Sequence, residues 1–133
     1  MGSPLILIVE DDQTLAHAIE RNLAVRGYAT RRVGSVADAT EALHRERPGL
    51  VLLDIDLPDG SGWEILRDLR ERGCEDTGVI VMSALRPNSR LVAELHCTGV
   101  LEKPFPMDSL LRLVARLTGQ SGEQRLPDTG SDG

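Results

Sequence analysis

Residues 50–60 read LVLLDIDLPDG. Four apolar residues, Leu50 to Leu53, stop abruptly at Asp54, and Asp56, Pro58 and Gly60 follow. A short uninterrupted apolar run is the mark of a strand covered on both faces, as in a parallel sheet held between helices. A strand of that kind ending in acid puts a carboxylate at the C-terminal edge of the sheet, where open α/β folds bind their ligands. If that is right, the rest of the chain must supply more buried strands, helices between them, and further polar groups at the strand ends.

The sequence supplies all three. LILIV (5–9) and VIVM (79–82) are two more buried runs, YATRRV (28–33) reads as a more polar edge strand, and VLE (100–102) as a short one. Residues 13–26 place Leu15, Ile19 and Leu23 on one helix face, with Gly27 as the stop. Residues 35–47 open on Ser35 and Asp38, a capping-type pair, and turn Val36, Ala39 and Leu43 inward. Ser61 and Glu64 read as a capping box for a helix running to about Arg72, with Trp63, Leu66 and Leu69 inside. Residues 87–96 read as a short helix with Pro87 in its first turn. Residues 107–118 read as a last helix with Leu110, Leu113, Val114 and Leu117 inside. Five β-α units in succession predict right-handed crossovers and an α/β fold: a doubly wound, parallel five-stranded sheet with helices on both faces. Residues 119–133, GQSGEQRLPDTGSDG, carry almost nothing apolar and read as a disordered tail or the start of a linker.

The chain's 133 residues suit one domain. Its net charge of −6 comes with no visible basic patch or stripe, so no direct nucleic-acid binding is expected. No apolar run approaches the roughly 20 residues that span a bilayer. The N-terminus, MGSPLILIVEDD, has no basic segment before its short apolar run, so neither signal peptide nor membrane anchor is expected and the expected location is cytoplasmic. Cys74 and Cys97 form no CxxC pair and no ligand set with His17, His44 and His96, and read as reduced thiols. Among the 15 basic residues the only lysine is Lys103, in VLEKPF. Lysine suits a site that needs a compact point charge where arginine offers a planar fork.

The strand ends then fall into a pattern. Glu10, Asp11 and Asp12 follow the first strand, Asp54 ends the third, Ser83 the fourth and Lys103 the fifth. With the first and third strands as neighbours at the point where strand order reverses, Asp11 and Asp54 face each other across a shallow crevice. Clustered carboxylates raise one another's pKa unless something compensates. Mg²⁺ would: it takes one or two carboxylates, keeps several waters and bridges to phosphate oxygens. Such a site suits transfer of a phosphoryl group onto one of its own carboxylates, with Mg²⁺ and the lysine neutralising the moving charge. Each residue alone has a plainer reading. Asp12 suits a helix N-cap at least as well as chemistry, Asp38, Asp56 and Asp59 read as turn or cap residues, Ser83 as a turn residue and Lys103 as a surface charge. Their joint placement at one edge of one sheet is what the plainer readings leave unexplained.

The motifs ILIVEDD, LLDIDLPDGSG, VMSA and LEKPF, in that order, resemble the receiver domain of bacterial response regulators over about residues 4–118. The resemblance implies a flavodoxin-like (βα)5 fold with strand order 2-1-3-4-5. It implies that Asp54 accepts a phosphoryl group from a phosphohistidine on a sensor histidine kinase or histidine phosphotransfer protein. Asp11 would ligate Mg²⁺ directly, Glu10 directly or through water, Asp54 itself would be a ligand as well as the acceptor, and Asp56 would ligate through its backbone carbonyl. Ser83 would hydrogen-bond the phosphoryl group, Lys103 would pair with it, and the peptide bond before Pro104 would be cis. The surface of the fourth helix, fifth strand and fifth helix would rearrange for a downstream effector, and no independent substrate turnover is expected. Two features depart from the family pattern. Val100 stands three residues before Lys103, where receivers usually carry Tyr or Phe. The Ser83-to-Lys103 stretch is also about two residues short, which predicts a shortened or displaced fourth helix. Three rivals remain: a haloacid-dehalogenase-type phosphatase using Asp54 and Asp56, a flavin-binding electron carrier of the same topology, and a receiver-like interaction module that is never phosphorylated.

Overall fold

The computed structural model describes residues 4–119. Five strands, β1 (Leu5–Val9), β2 (Ala29–Val33), β3 (Leu50–Asp54), β4 (Gly78–Ser83) and β5 (Gly99–Glu102), alternate with five helices. The helices are α1 (Gln13–Val25), α2 (Val36–Arg45), α3 (Gly62–Glu71), α4 (Ser89–Glu94) and α5 (Met107–Thr118). The strands form one parallel sheet in the order β2-β1-β3-β4-β5, as expected. A separate two-residue antiparallel ladder pairs Asp56–Leu57 with Gly60–Ser61 just after β3. All of the expected polar tail except Gly119 lies outside the described residues.

Alternation along the strands divides the core into two layers. Leu7, Val9, Val51, Leu53, Val79 and Val81 face α2 and α3, where they meet Ala39, Leu43, Ile65, Leu66 and Leu69. Ile6, Ile8, Leu50, Leu52, Ile80 and Met82 face α1 and α5, against Ile19, Leu23, Leu110 and Val114. Every residue of β3 is buried, Asp54 included, because β3 is central and covered on both faces. β2 lies at an edge and exposes Arg31 and Arg32.

Side-chain caps fix where the helices begin. Asp12 Oδ1 accepts from Leu15 N at 3.2 Å and Ser35 Oγ from Asp38 N at 3.0 Å, so Asp12 serves as a cap. Gly27, at φ 90°, ends α1 in the left-handed conformation that glycine adopts without steric cost. Two expectations need correction. The fourth helix covers six residues, not 87–96, and none of its side chains is buried. Asn88 Oδ1 accepts from Arg90 N and Leu91 N, so the cap sits at 88 and Pro87 falls outside the helix. The second concerns α3: Ser61 Oγ accepts from Trp63 N at 3.1 Å, and the Glu64 carboxylate lies beside Gly60, so the pair does not make the expected reciprocal box. Trp63 is only partly buried and Ile65 takes the interior place beside Leu66 and Leu69.

One buried-edge contact organises the far side of the short helix. Arg70, near the end of α3, donates to four carbonyls: Leu95 at 2.8 Å, His96 at 2.9 Å, Cys74 at 2.6 Å and Thr77 at 3.0 Å. Leu95 and His96 end α4, and His96 takes the left-handed conformation at φ 55°. The guanidinium thus meets the negative end of that helix with two N–H···O bonds and ties it to the segment after α3 with two more.

Candidate functional site

Strand register alone assembles the site. Val9 pairs with Leu53, so Glu10 and Asp54 leave the sheet side by side. Asp54 pairs with Met82, placing Ser83 one step beyond, and Ser83 pairs with Glu102, placing Lys103 next. Lys103 N donates to Ser83 O at 2.7 Å to close that edge.

One carboxylate oxygen from each of Glu10, Asp11 and Asp54 lies within 4.8 Å of the other two. Glu10 is 1% exposed and Asp54 3%, whereas Asp11 is exposed. Lys103 Nζ stands 2.7 Å from Glu10 Oε1 and 3.5 Å from Asp54 Oδ2. Apart from that ion pair, the buried Glu10 Oε1 has no hydrogen-bond partner among the described residues, while Oε2 accepts from Asp12 N at 3.1 Å. Asp54 Oδ1 accepts from Asp56 N at 3.1 Å.

The electrostatics follow from burial. Desolvation first, then repulsion from Glu10, push the Asp54 carboxyl up to about 7, against the opposing pull of the Asp56 N–H and the Lys103 ammonium. For Lys103, burial acts to lower its pKa, but bonding and attraction to Glu10, then to Asp54, outweigh it and hold the ammonium above its ordinary value. The site is a pair of buried acids bridged by one cation, with a third acid at its mouth. Oxygen donors, excess negative charge and an exposed carboxylate at the mouth fit a hard divalent cation such as Mg²⁺.

Ser83 is buried and neighbours the cluster through the sheet; its Oγ accepts from Leu85 N at 3.3 Å, which leaves the hydroxyl hydrogen free to donate. Asp56 is exposed and begins the short ladder, which fixes its backbone opposite Ser61. The Lys103–Pro104 peptide is cis. Val100 lies outside the cluster: it is 39% exposed on β5, beside a groove of about 400 Å³ lined by Arg86, Pro87, Ser89, Val92 and Glu102.

Two residues with a part in this geometry escaped sequence reasoning. Gly62 N donates to Ile55 O at 2.8 Å, and a Cβ at Gly62 would collide with the Asp54 carbonyl oxygen and come 2.9 Å from Ile55 Cα. Asp59, read as a turn residue, accepts from Val36 N at 2.7 Å and Ala37 N at 3.1 Å. The PDGSG string announces a turn but not what the turn is pressed against.

Comparison with known proteins agrees with this geometry. The family model of the response regulator receiver domain matches residues 6–115. The transcriptional regulatory protein KdpE of Mycobacterium tuberculosis is 37% identical over 133 aligned residues, covering 96% of this chain and 58% of that protein. The response regulator MprA of Mycobacterium leprae is 32% identical over 114 residues, covering 84% and 50%. The chain thus spans about half the length of the curated relatives it matches. Among solved structures, a CheY-like receiver domain from Methylobacillus flagellatus superposes with a TM-score of 0.75 at 28% identity, covering 87% of this chain and 99% of that one. A CheY-like receiver domain from Methanospirillum hungatei shares the fold with a TM-score of 0.80 at 24% identity, covering 92% and 99%.

Proposed function

We propose that the chain, which belongs to the response regulator receiver domain family, accepts a phosphoryl group on Asp54 from a partner's phosphohistidine, in the presence of Mg²⁺. The observation that carries this reading is the buried Glu10–Lys103–Asp54 bridge with Asp11 at its mouth. In the transfer, an Asp54 carboxylate oxygen forms the new O–P bond as the donor's P–N bond breaks and the imidazole leaves with that electron pair. Glu10, Asp11 and the Asp56 carbonyl would hold the cation. When bound, the cation neutralises charge on the phosphoryl oxygens and favours the ionised form of Asp54.

The chain's own groups do the rest. Asp56 N holds Asp54 Oδ1, which leaves Oδ2, the oxygen facing Lys103, as the attacking atom. Lys103, only 3.5 Å from that oxygen, is placed to pair with the incoming group. Ser83 would turn its free O–H toward it and release Leu85 N. Phosphorylation adds close to two negative charges and three acceptors at this edge. The β4–α4 loop and then the α4–β5–α5 face would respond by a shift of population between two arrangements. With Val100 where an aromatic usually stands, the loop movement itself, not a swinging ring, would carry the change.

Residues 4–118 form the receiver domain on this reading, and a sensor kinase or phosphotransfer protein supplies the phosphoryl group. The phosphatase reading asks the Asp56 side chain to serve as an acid, yet it is the Asp56 backbone that contacts Asp54. The decisive experiment is intact-mass measurement after incubation with acetyl phosphate or phosphoramidate and Mg²⁺. Wild-type protein should gain one phosphoryl mass and Asp54→Asn none. Unmodified wild-type protein across several donors and a cognate kinase would overturn the proposal.

A further inference from the structure

We propose that Asp59 is a positioning residue for the metal-binding loop: by strapping the loop's tip to the start of α2, it sets where the Asp56 carbonyl stands beside Asp54. The inference rests on the phosphoacceptor reading and extends it to a residue outside the carboxylate cluster.

The two oxygens of Asp59 take one N–H each, from Val36 and Ala37, residues 23 and 22 positions away in the chain. Bonding through both oxygens fixes direction as well as distance. The helix does not depend on Asp59 for its cap. Ser35 already bonds Asp38 N, so the serine covers the third amide of the first turn and Asp59 reaches across to the first two. The tip is also in close contact with α2: a Cβ on Gly60 would lie 3.2 Å from Val36 Cγ2. At the other end of the loop, Gly62 is pressed against the Asp54 carbonyl. Between these two anchors the short ladder holds Asp56 opposite Ser61, and Asp56 N reaches Asp54 Oδ1. A carbonyl carried on this loop is therefore located by the strap, as metal ligands generally are by the groups behind them.

The test compares wild type, Asp59→Ala, Asp59→Asn and Ser35→Ala by calorimetric Mg²⁺ titration, with amide hydrogen exchange on the metal-free proteins. Asp59→Ala should bind Mg²⁺ roughly tenfold more weakly and exchange faster at residues 55–61 while the later turns of α2 stay protected. Asp59→Asn, which keeps one acceptor oxygen, should fall between. Ser35→Ala removes the helix's own cap; it should lower the melting temperature and leave Mg²⁺ affinity unchanged. Asp59→Ala binding Mg²⁺ like wild type, or Ser35→Ala weakening it equally, reduces Asp59 to a helix cap and overturns the proposal. So does unchanged exchange at Asp56 in metal-free Asp59→Ala. Wild-type protein that takes up no Mg²⁺ sinks the phosphoacceptor reading itself, and this inference with it.

Discussion

Asp54 keeps its proton far beyond the range of an ordinary aspartate because burial and Glu10 outweigh the Asp56 N–H and Lys103. In the metal-free folded state the proton is held to about pH 7, whereas the unfolded chain releases it near 3.8. The folded state binds more protons across that window, so the Asp54 contribution is fully present below it and is lost as pH rises toward 7. Asp54→Asn should therefore melt progressively higher than wild type as pH increases from about 4 to about 7 in chelator, with the gap constant above. A gap that shrinks with pH would refute the assignment. Gly62 obeys a steric rule instead. Gly62→Ala forces the α3 entrance off the Asp54 carbonyl and should cost about 1–3 kcal/mol in denaturant titrations while slowing phosphorylation at Asp54. The two residues differ in how far sequence reveals them. An apolar run broken by acid announces Asp54, but the pressure on Gly62 comes from backbone that only the folded chain brings near.

At the scale of elements, the strands and α5 follow directly from apolar periodicity, and their limits lie within a residue or two of those expected. The short helix does not. Its expected start rested on Pro87, while the side chain that captures the free N–H groups belongs to Asn88. Lacking a buried face, α4 is held at its end by Arg70. No periodicity marks that arginine, because its four acceptors are backbone carbonyls, two just beyond its own helix and two at the distant end of α4. Hydrogen bonds to a charged group contribute about 1.5–3 kcal/mol each and do not add fully, so Arg70→Ala should lose roughly 2–4 kcal/mol in urea unfolding. Arg70→Lys should recover little of it, since an ammonium cannot present a planar fork. Full recovery by lysine would show that charge, and not geometry, holds the helix end.

Across the whole molecule, the parallel sheet does the assembling. Four site residues stand at the ends of β1, β3, β4 and β5, as the last residue of the strand or the next one, so their meeting was legible once the strand order was legible. Acids gathered at one edge of a chain of net charge −6 make a folded state that a divalent cation should favour over the unfolded one. At 100 times its Kd, Mg²⁺ adds about 2.7 kcal/mol, which for a domain of this size raises the melting temperature by roughly 10 °C. Asp11→Asn should abolish most of that rise. An equal rise in the variant would place the ion elsewhere.

Trp63 is the chain's sole tryptophan, and it sits one residue after the glycine that touches the acceptor strand, partly buried against the core layer on the α2–α3 side of the sheet. Indole emission from this protein therefore comes from a single address. Any change in its intensity or wavelength can be assigned to that corner of the molecule without a label, giving each event at the sheet edge an intrinsic optical reporter.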